Sequence, residues 1–438
     1  MTAERQVIRR TFSVCPVCGR RTAAVYARAG SDVYLEKQCP EHGAFSTIVW
    51  RGEPDFESWL GCAEEISAGR LGGCPDVCGL CPSHRQDTCC IVVEVTGRCN
   101  LNCGFCFAAS PSVKPEPSLE ELKTAFAQLV KDGRLFLQLS GGEPTVRDDL
   151  PRIVRLAVRA GFKYIQLNSN GIRLAEDEKF VQALAAAGLS FVFMQFDGTD
   201  DEVYKKLRGR SLCDLKKHAI ENCAKYNLGV ILVPMLVPGV NTNELWKLVK
   251  FGVSLSPVVR GVHFQPVSYF GCRAEAPADS ERFTLPVLVR GLEEQSGGAI
   301  KARSLKPSRC DNPLCGFHGA FMVENGRLVS ASPDGDEENR CGCGGVSAET
   351  NRNYIGARWL PPQPQHDCCC GAAVNDVHTF DGFLRDVQNR SFTITSMDFQ
   401  DIWNLDLDRL SQCSVHVWRG GRIVPFCANY LGLGAAGK

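Results

Sequence analysis

The stretch "VTGRCNLNCGFCFAASP" (residues 95–111) sets Cys99, Cys103 and Cys106 at C-x3-C-x2-C spacing. It continues directly from "CIVVEVT" (90–96), an apolar, β-branched run that reads as a buried strand. Compact metal sites and cubane iron–sulfur clusters use four ligands, whereas this loop supplies three thiols. An open coordination position at a metal is where a substrate or cofactor binds. The same spacing is also compatible with a structural zinc or iron site closed by a distant residue.

Outward from this loop, helical patterns alternate with short apolar runs. Ser118 with Glu121 three residues on is a capping-box start for the first helix. "RLFLQLSGG" (134–142), "YIQLNSNG" (164–171), "SFVFMQFDG" (190–198), "GVILVPMLVPG" (229–239) and "GVHFQPVS" (261–268) read as further strands. Helices are expected from Asp149, across "EDEKFVQALAAAG" (176–188), around 202–226 and over "NELWKLVKFG" (243–252). Six β–α repeats with short connections predict a parallel sheet. Six strands are too few for the full eight-fold barrel, so the expected fold is α/β, a partial (β/α)6 TIM-type barrel, with an open doubly wound sheet as the alternative. In either case the chemistry belongs at the carboxyl ends of the strands, where the cysteine loop and "GGEP" (Gly141–Pro144) both fall. The expected boundaries are a Cys-rich N-terminal region at 1–88, the barrel at 89–270 and a C-terminal region at 271–438. The last contains "CDNPLC" (310–315), a helix near "FDGFLRDVQN" (380–389) and a hairpin in "CSVHVWRGGRIVPFC" (413–427) that brings Cys413 near Cys427.

These residues resemble the radical S-adenosylmethionine superfamily: C-x3-C-x2-C after the first strand, an aromatic (Phe105) before the last cysteine, and "GGEP" after the second strand. The resemblance implies a [4Fe–4S] cluster on Cys99, Cys103 and Cys106, with the methionyl amino and carboxylate groups of S-adenosylmethionine on the fourth iron. One electron from the reduced cluster then cleaves a carbon–sulfur bond, usually giving a 5′-deoxyadenosyl radical that abstracts hydrogen from an unactivated carbon. Gly141, Gly142, Glu143 and Pro144 are implied to bind the methionyl amino group, with Glu143 adding negative charge or shaping the turn. Asn168, Ser169 and Asn170 follow the third strand, where the family often places ribose-contacting groups, and the two last strands resemble those that line the adenine. Gln195 and Asp197 end the fourth strand and are candidate cofactor or substrate contacts, although Asp197 can equally cap the following turn.

A closer resemblance covers residues 12 to 432. "CPVCG…CPEHG", "GGCPDVCGLCPSHRQDTC", "QFDGTDDEVYKKLRG" and "CSVHV…GRIVPFC" look like the archaeal tetraether lipid synthases and related proteins described as pterin methyltransferases. That family implies carbon–carbon coupling or methylation, auxiliary [4Fe–4S] clusters, expected here to be two, and a rubredoxin-like mononuclear iron or zinc site. Cys15, Cys18, Cys39 and His42 read as the mononuclear set, with a zinc ribbon of no redox role as the alternative. Cys74, Cys78, Cys81 and Cys89 form a second group. Cys90 points opposite to Cys89 if both lie in a strand. Cys310, Cys315, Cys413 and Cys427 make a third. Cys341, Cys343, Cys368, Cys369 and Cys370 exceed what the resemblance requires and are left unassigned.

Composition bounds the rest. The chain has 438 residues, 44% hydrophobic and 22% charged, which fits about three folding units of a soluble globular protein. There are 49 basic and 49 acidic residues, which argues against general nucleic-acid binding. No apolar run reaches about 18 residues and no signal-peptide core opens the chain, so a cytoplasmic protein is expected, peripheral to a membrane if the substrate is a lipid. The 24 cysteines in that setting point to metal rather than disulfides. Cys62, Cys213, Cys223 and Cys272 stand alone and read as ordinary thiols. Tyr204, Lys206 and Arg208 read as a solvated face, although Arg208 could pair with a carboxylate. His263 and Gln265 share parity and so face the same side of their strand. The partners implied are a small-molecule or lipid substrate and a low-potential donor such as ferredoxin or flavodoxin. A peptide-modifying maturase with auxiliary clusters, or a non-enzymatic iron–sulfur carrier, are the competing functions.

Overall fold

The computed structural model describes residues 5–61, 80, 82–107, 116–270, 276–331, 346–361 and 387–431. The N-terminal part is an antiparallel meander, β1 (Gln6–Val14), β2 (Arg21–Ala29), β3 (Asp32–Cys39) and β4 (Gly43–Arg51), paired in chain order. Strict alternation along β3 buries Val33, Leu35 and Lys37 on one face. Trp50 and Tyr26 pack there against Phe56 and Trp59 of α1 (Phe56–Leu60).

The six-strand β/α series forms as the periodicity predicts: β5 (Cys90–Thr96), β6 (Phe136–Gly141), β7 (Tyr164–Ser169), β8 (Phe191–Gln195), β9 (Gly229–Val233), then a two-residue β10 (Met235–Leu236), and β11 (Val259–Pro266). β5, β6, β7, β8, β9 and β11 lie side by side, all parallel. The helices between them are α2 (Leu119–Lys131), α3 (Leu150–Ala160), α4 (Ile172–Glu176), α5 (Glu178–Ala187), α6 (Asp201–Arg208), α7 (Cys213–Lys225) and α8 (Leu245–Ser254). The capping box at Ser118 is present with both of its hydrogen bonds.

Past α9 (Leu285–Gln295) the chain adds β12 (Lys306–Pro307), β13 (Gly316–Glu324), β14 (Arg327–Ser330), α10 (Ala348–Trp359), β15 (Ser391–Met397), β16 (Val415–Arg419) and β17 (Arg422–Pro425). These strands join the same 13-stranded sheet. β15 pairs parallel with β11 at one edge and β16 pairs parallel with β5 at the other. The parallel series therefore continues beyond the six strands into residues that the sequence placed in a separate region. The expected hairpin is β16–β17, turning at Gly420 (φ 54°) and Gly421 (φ 84°), both left-handed as a type I′ turn requires. The helix expected near 380–389 lies mostly outside the described residues.

The two faces of the sheet differ in chemistry. Ile91, Val93, Leu137, Leu139, Ile165, Leu167, Val192, Met194, Val230, Leu232, Val262 and Phe264 form one aliphatic layer that packs on the helices. On the opposite face, near the strand starts, Cys90, Phe136, Tyr164, Phe191 and Ile231 are closed over by Trp359 of α10. Gly356 lies flat on the Tyr164 ring, where a Cβ would come within 2.4 Å. The meander docks on the C-terminal segment through buried polar contacts: Thr11 and Tyr26 both donate to Asp406, and Arg282 bridges Thr47 and Asp401. Among the described residues no helix is long and apolar enough to cross a membrane.

Candidate active site and metal centres

"GGEP" is built directly onto the strand end that launches the cysteine loop. Gly142 N donates to Thr96 O (2.8 Å) and Glu143 N to Arg98 O (2.8 Å). Gly141 has φ +136°, and a Cβ on either glycine would stand 2.1 Å from a carbonyl oxygen, Thr96 O for Gly141 and Arg98 O for Gly142. The glycines thus admit the backbone of the cysteine loop itself. Gly142→Ala is expected to cost about 1–3 kcal/mol, because Arg98 O is backbone and cannot swing aside. Urea denaturation would show it, and an unchanged midpoint would refute the packing argument.

Glu143 is buried and spends both carboxylate oxygens locally. Oε1 accepts from Thr145 N (3.1 Å), Thr145 Oγ1 (2.7 Å) and Ser169 Oγ (2.8 Å), and Oε2 accepts from Asn170 N (2.6 Å). Asn170 Nδ2 in turn donates to Asn100 Oδ1 (2.7 Å), inside the cysteine loop. Glu143 therefore shapes the turn and staples "GGEP", "NSNG" and the cysteine loop together. Within the loop, Cys106 N bonds Cys103 O (3.3 Å) and Leu101 N bonds Cys99 Sγ (3.4 Å).

A second buried chain runs behind the loop. Lys216 of α7 is fully buried, and its ammonium donates to Asn170 O and to Gln195 Oε1 (3.0 Å). Gln195 Nε2 donates to Asp197 Oδ2, and Arg208 grips Asp197 through Nε (2.8 Å) and Nη2 (2.9 Å). Arg208 also lies within reach of the Cys103 thiol. The solvated-face expectation is corrected for two of its three residues. Tyr204 is fully buried with its hydroxyl on Gly198 O, and Arg208 is buried on Asp197, while Lys206 is exposed. An aspartate two residues after β8 recruits Arg208 across one helix, which outweighs solvation. Burial alone would lower the Arg208 pKa, but Asp197 outweighs it and holds it above the ordinary value. Nothing in the sequence marks Lys216, which sits in "DLKKH" beside the half-buried Lys217.

Burial pushes the Lys216 pKa down from 10.5 to about 7, against the pull of Asp197. Between those values the unfolded chain binds more protons than the native one, so stability falls as pH drops through the window and levels off below it. Wild type should therefore lose stability relative to Lys216→Met from the top of that window to its bottom. Urea titrations of both proteins above, within and below the window would check this, and a pH-independent difference would contradict it.

On the face away from the helices, the layer nearest the cysteine loop is polar. Register places Gln138 beside Gln166, Asn168 beside Phe193, Glu94 beside Ser140 and His263 beside Thr395. Gln166 Nε2 donates to Asn168 Oδ1 (2.5 Å), and Gln138 Nε2 to Cys90 Sγ (3.0 Å). His263 bonds Thr395 Oγ1 (2.8 Å) and lies 5.2 Å from the Phe193 ring; burial lowers its pKa to about 4, so it is neutral. His263 and Gln265 thus face inward. Phe105 packs instead beside Val203, Leu207 and Tyr269.

The cysteine groups separate by geometry. Cys15, Cys18, Cys39 and His42 bring one ligand atom each to within 4.8 Å of one another. Cys15 Sγ and Cys39 Sγ lie 3.7 and 3.5 Å from His42 Nδ1, and Cys18 Sγ lies 4.0 Å from Cys39 Sγ. Tetrahedral bonds of about 2.3 Å to sulfur and about 2.0–2.1 Å to nitrogen require separations of about 3.5–3.8 Å, so the set fits one ion. Among the described residues it is the one group this tight. Cys315, Cys413 and Cys427 line one cavity with Arg409 and Asp398, but Cys310 does not. Cys310 packs against Cys89, on the far side of the turn it shares with Cys315. Cys90 faces the inner layer, opposite to Cys89. Cys213 and Cys223 are buried singly. Cys62, Cys74, Cys78, Cys81, Cys272, Cys341, Cys343, Cys368, Cys369 and Cys370 lie outside the described residues.

A β/α sheet with a three-thiol loop on its first strand, stapled to "GGEP" on its second, defines a radical S-adenosylmethionine enzyme. The sequence matches the Radical SAM superfamily over residues 93–252 and the HMPTM N-terminal zinc ribbon domain over residues 7–51. Membership implies a [4Fe–4S] cluster and S-adenosylmethionine, and the ribbon implies a metal site. The 7,8-dihydro-6-hydroxymethylpterin dimethyltransferase of Methanocaldococcus jannaschii is 33% identical over 470 residues, covering 96% of this chain and 92% of that protein. The chain belongs to the family of that enzyme. A probable GTP 3′,8-cyclase of Methanothermobacter thermautotrophicus is 30% identical over 170 residues, 38% of this chain and 55% of the cyclase. Streptococcus suis SuiB, solved bound to precursor peptide SuiA, has a TM-score of 0.40 at 17% identity over 50% of this chain and 47% of its own.

Proposed function

We propose that this chain is a radical S-adenosylmethionine methyltransferase acting on a pterin. Cys99, Cys103 and Cys106 hold the [4Fe–4S] cluster, and Gly141–Pro144 with Asn168, Ser169 and Asn170 shape the cradle for S-adenosylmethionine. The cluster and S-adenosylmethionine, when bound, supply a carbon radical by one-electron cleavage of a carbon–sulfur bond. The chain's own residues position the reactants: Glu143 and Asn170 fix the loop against the strand ends, and Gln195, Asp197, Lys216 and Arg208 brace it from behind. Cys15, Cys18, Cys39 and His42 hold one zinc ion in the ribbon. Cys89 with Cys310, and Cys315 with Cys413 and Cys427, contribute to two auxiliary clusters. A ferredoxin or flavodoxin supplies the low-potential electron.

The observation that carries the substrate class is the polar inner layer of Glu94, Gln138, Gln166, Asn168, His263 and Gln265. A hydrocarbon tail against that layer would exclude water from the polar atoms its internal bonds leave over, Gln166 Oε1 among them, at about 1–3 kcal/mol each. A heterocycle bearing amino and lactam groups satisfies them. The test is anaerobic reconstitution, reduction, and mass spectrometry of 6-hydroxymethyl-7,8-dihydropterin incubated with S-adenosylmethionine. Methylated pterin is expected. The methyl must come from a second S-adenosylmethionine or another one-carbon donor, because radical cleavage releases methionine with its methyl. No S-adenosylmethionine cleavage by the fully loaded, reduced protein would remove the enzyme reading, and cleavage that the pterin does not stimulate and that leaves the pterin unmodified would remove the substrate.

A further inference from the structure

The inner layer has a directional character beyond being polar. Glu94 stands on β5 in register with Ser140, the residue preceding Gly141 and Gly142, so it lies at the cofactor end of the layer. It is partly exposed, and its Oε1 accepts from Tyr430 OH (2.8 Å). Burial, then Glu94, raises the Tyr430 pKa well above its ordinary value, so the phenol stays protonated and holds the carboxylate in place. Gln138 and Asn168 are also partly exposed, although they sit between strands whose opposite-face neighbours are fully buried. Behind them, Gln166 is fully buried, its Nε2 held by Asn168 while its Oε1 has no hydrogen-bond partner. Asn168 Nδ2 reaches Gln138 Oε1 only at 3.5 Å, a loose contact that leaves these two atoms available to a ligand while Cys90 Sγ holds Gln138 Nε2 and Gln166 Nε2 holds Asn168 Oδ1. Phe193 faces the same layer between His263 and Trp359, giving a flat wall.

A carboxylate is the usual match for two adjacent N–H donors on a planar, guanidine-like edge, because its two oxygens accept in parallel. The amino group at C2 and the N3–H of a pterin form such an edge. Carboxamides, which both donate and accept, match the lactam carbonyl and the ring nitrogens. An aromatic wall takes the ring's face.

We propose that Glu94 is the specificity-determining residue of the substrate site, its carboxylate reading the amino/N–H edge of the heterocycle while Gln138 and Asn168 pair with its lactam side against Phe193. This assignment rests on the pterin reading above. Tyr430 is a positioning residue that aims Glu94.

The test is equilibrium binding of 6-hydroxymethyl-7,8-dihydropterin to the anaerobically reconstituted protein, followed by quenching of pterin fluorescence. The comparison ligand is the same bicycle with oxygen replacing the amino group at C2. Wild type is expected to prefer the amino compound at least tenfold. Glu94→Gln, which sets an amide N–H against a donor edge, should weaken the amino compound tenfold or more and leave the oxo compound within twofold, abolishing the preference. Gln138→Leu should weaken both ligands. Tyr430→Phe should weaken the amino compound less than Glu94→Gln does. Cluster absorbance and circular dichroism identify any variant that fails to load or fold, and in that case Glu94→Asp, which keeps the charge and shortens the reach, reports the same preference. Retention of the wild-type preference in folded Glu94→Gln would overturn the assignment while the pterin reading stands. Failure of wild-type protein to bind the pterin at all would overturn the pterin reading and the assignment with it.

Discussion

Glu143→Gln should lower folding stability by about 3 kcal/mol or more and leave the protein unable to retain iron in its cysteine loop. The substitution is isosteric, so packing is unchanged and the electrostatics are isolated. All four groups around the carboxylate donate to it, and two of them, Thr145 N and Asn170 N, can do nothing else: the others are the Thr145 and Ser169 hydroxyls. A glutamine amide turns one acceptor into a donor, so a buried N–H must face another. If the amide nitrogen takes the Oε2 position it opposes Asn170 N, whose amide anchors Asn100 and through it the loop. If it takes the Oε1 position it opposes Thr145 N, and the Thr145 and Ser169 hydroxyls must turn to accept, giving up the hydrogens they donate to the carboxylate. Thr145→Val removes a single hydroxyl contact and should cost only about 1 kcal/mol, giving a graded pair. Iron content and visible absorbance after anaerobic reconstitution, with urea denaturation alongside, provide the measurement. Wild-type iron in folded Glu143→Gln would show that the staple is not what holds the loop.

Much of this arrangement was legible in the sequence because it is local. Each strand of the six-fold series ends within a few residues of the motif it positions, so strand order alone carried the cysteine loop, "GGEP" and "NSNG" to one end of the sheet. The mononuclear set was legible for the same reason, since β1, β3 and the turn before β4 place Cys15, Cys18, Cys39 and His42 side by side in a meander. Contacts of long sequence separation were not legible. β15 and β16 are short apolar runs that join opposite edges of a sheet begun at residue 90, and nothing in their own pattern names those partners. Cys310 and Cys315 share one turn yet diverge, because the turn at Pro313 sends one toward Cys89 and the other into the Arg409 cavity. The polar layer was hidden for a different reason. Gln138, Gln166 and Asn168 each look like an isolated polar residue in an aliphatic strand, and only parallel register sets them in one row. Lys216 and Lys217 are neighbours of the same type, one buried and one paired with Asp214 at the surface; the rotation of α7 against α4 decides between them.

The other large effect is expected at Asp197. It is fully buried and engages Arg208 through two nitrogens, Gln195 through one, and Met235 N at 3.1 Å. Asp197→Asn leaves a buried guanidinium without its counter-charge and should cost about 3–5 kcal/mol. Replacing both members, Asp197→Leu with Arg208→Met, removes the charge together with its partner and should cost clearly less than Asp197→Asn alone, since the expense lies in stranding a buried charge rather than in lacking a pair. The double variant then separates two roles of Arg208. The guanidinium lies within reach of Cys103, so it contributes positive charge beside a sulfur that carries negative charge when it ligates iron. Because the Asp197 charge is removed as well, only the difference between the two distances to the loop acts. With the guanidinium on the Cys103 side, adding an electron becomes harder and the reduction potential of the loaded, folded double variant should shift modestly to more negative values. A redox titration followed by electron paramagnetic resonance reads the shift directly. A potential equal to that of wild type would confine Arg208 to the fold, whereas a negative shift in a protein of near-normal stability would mark it as part of what tunes the site.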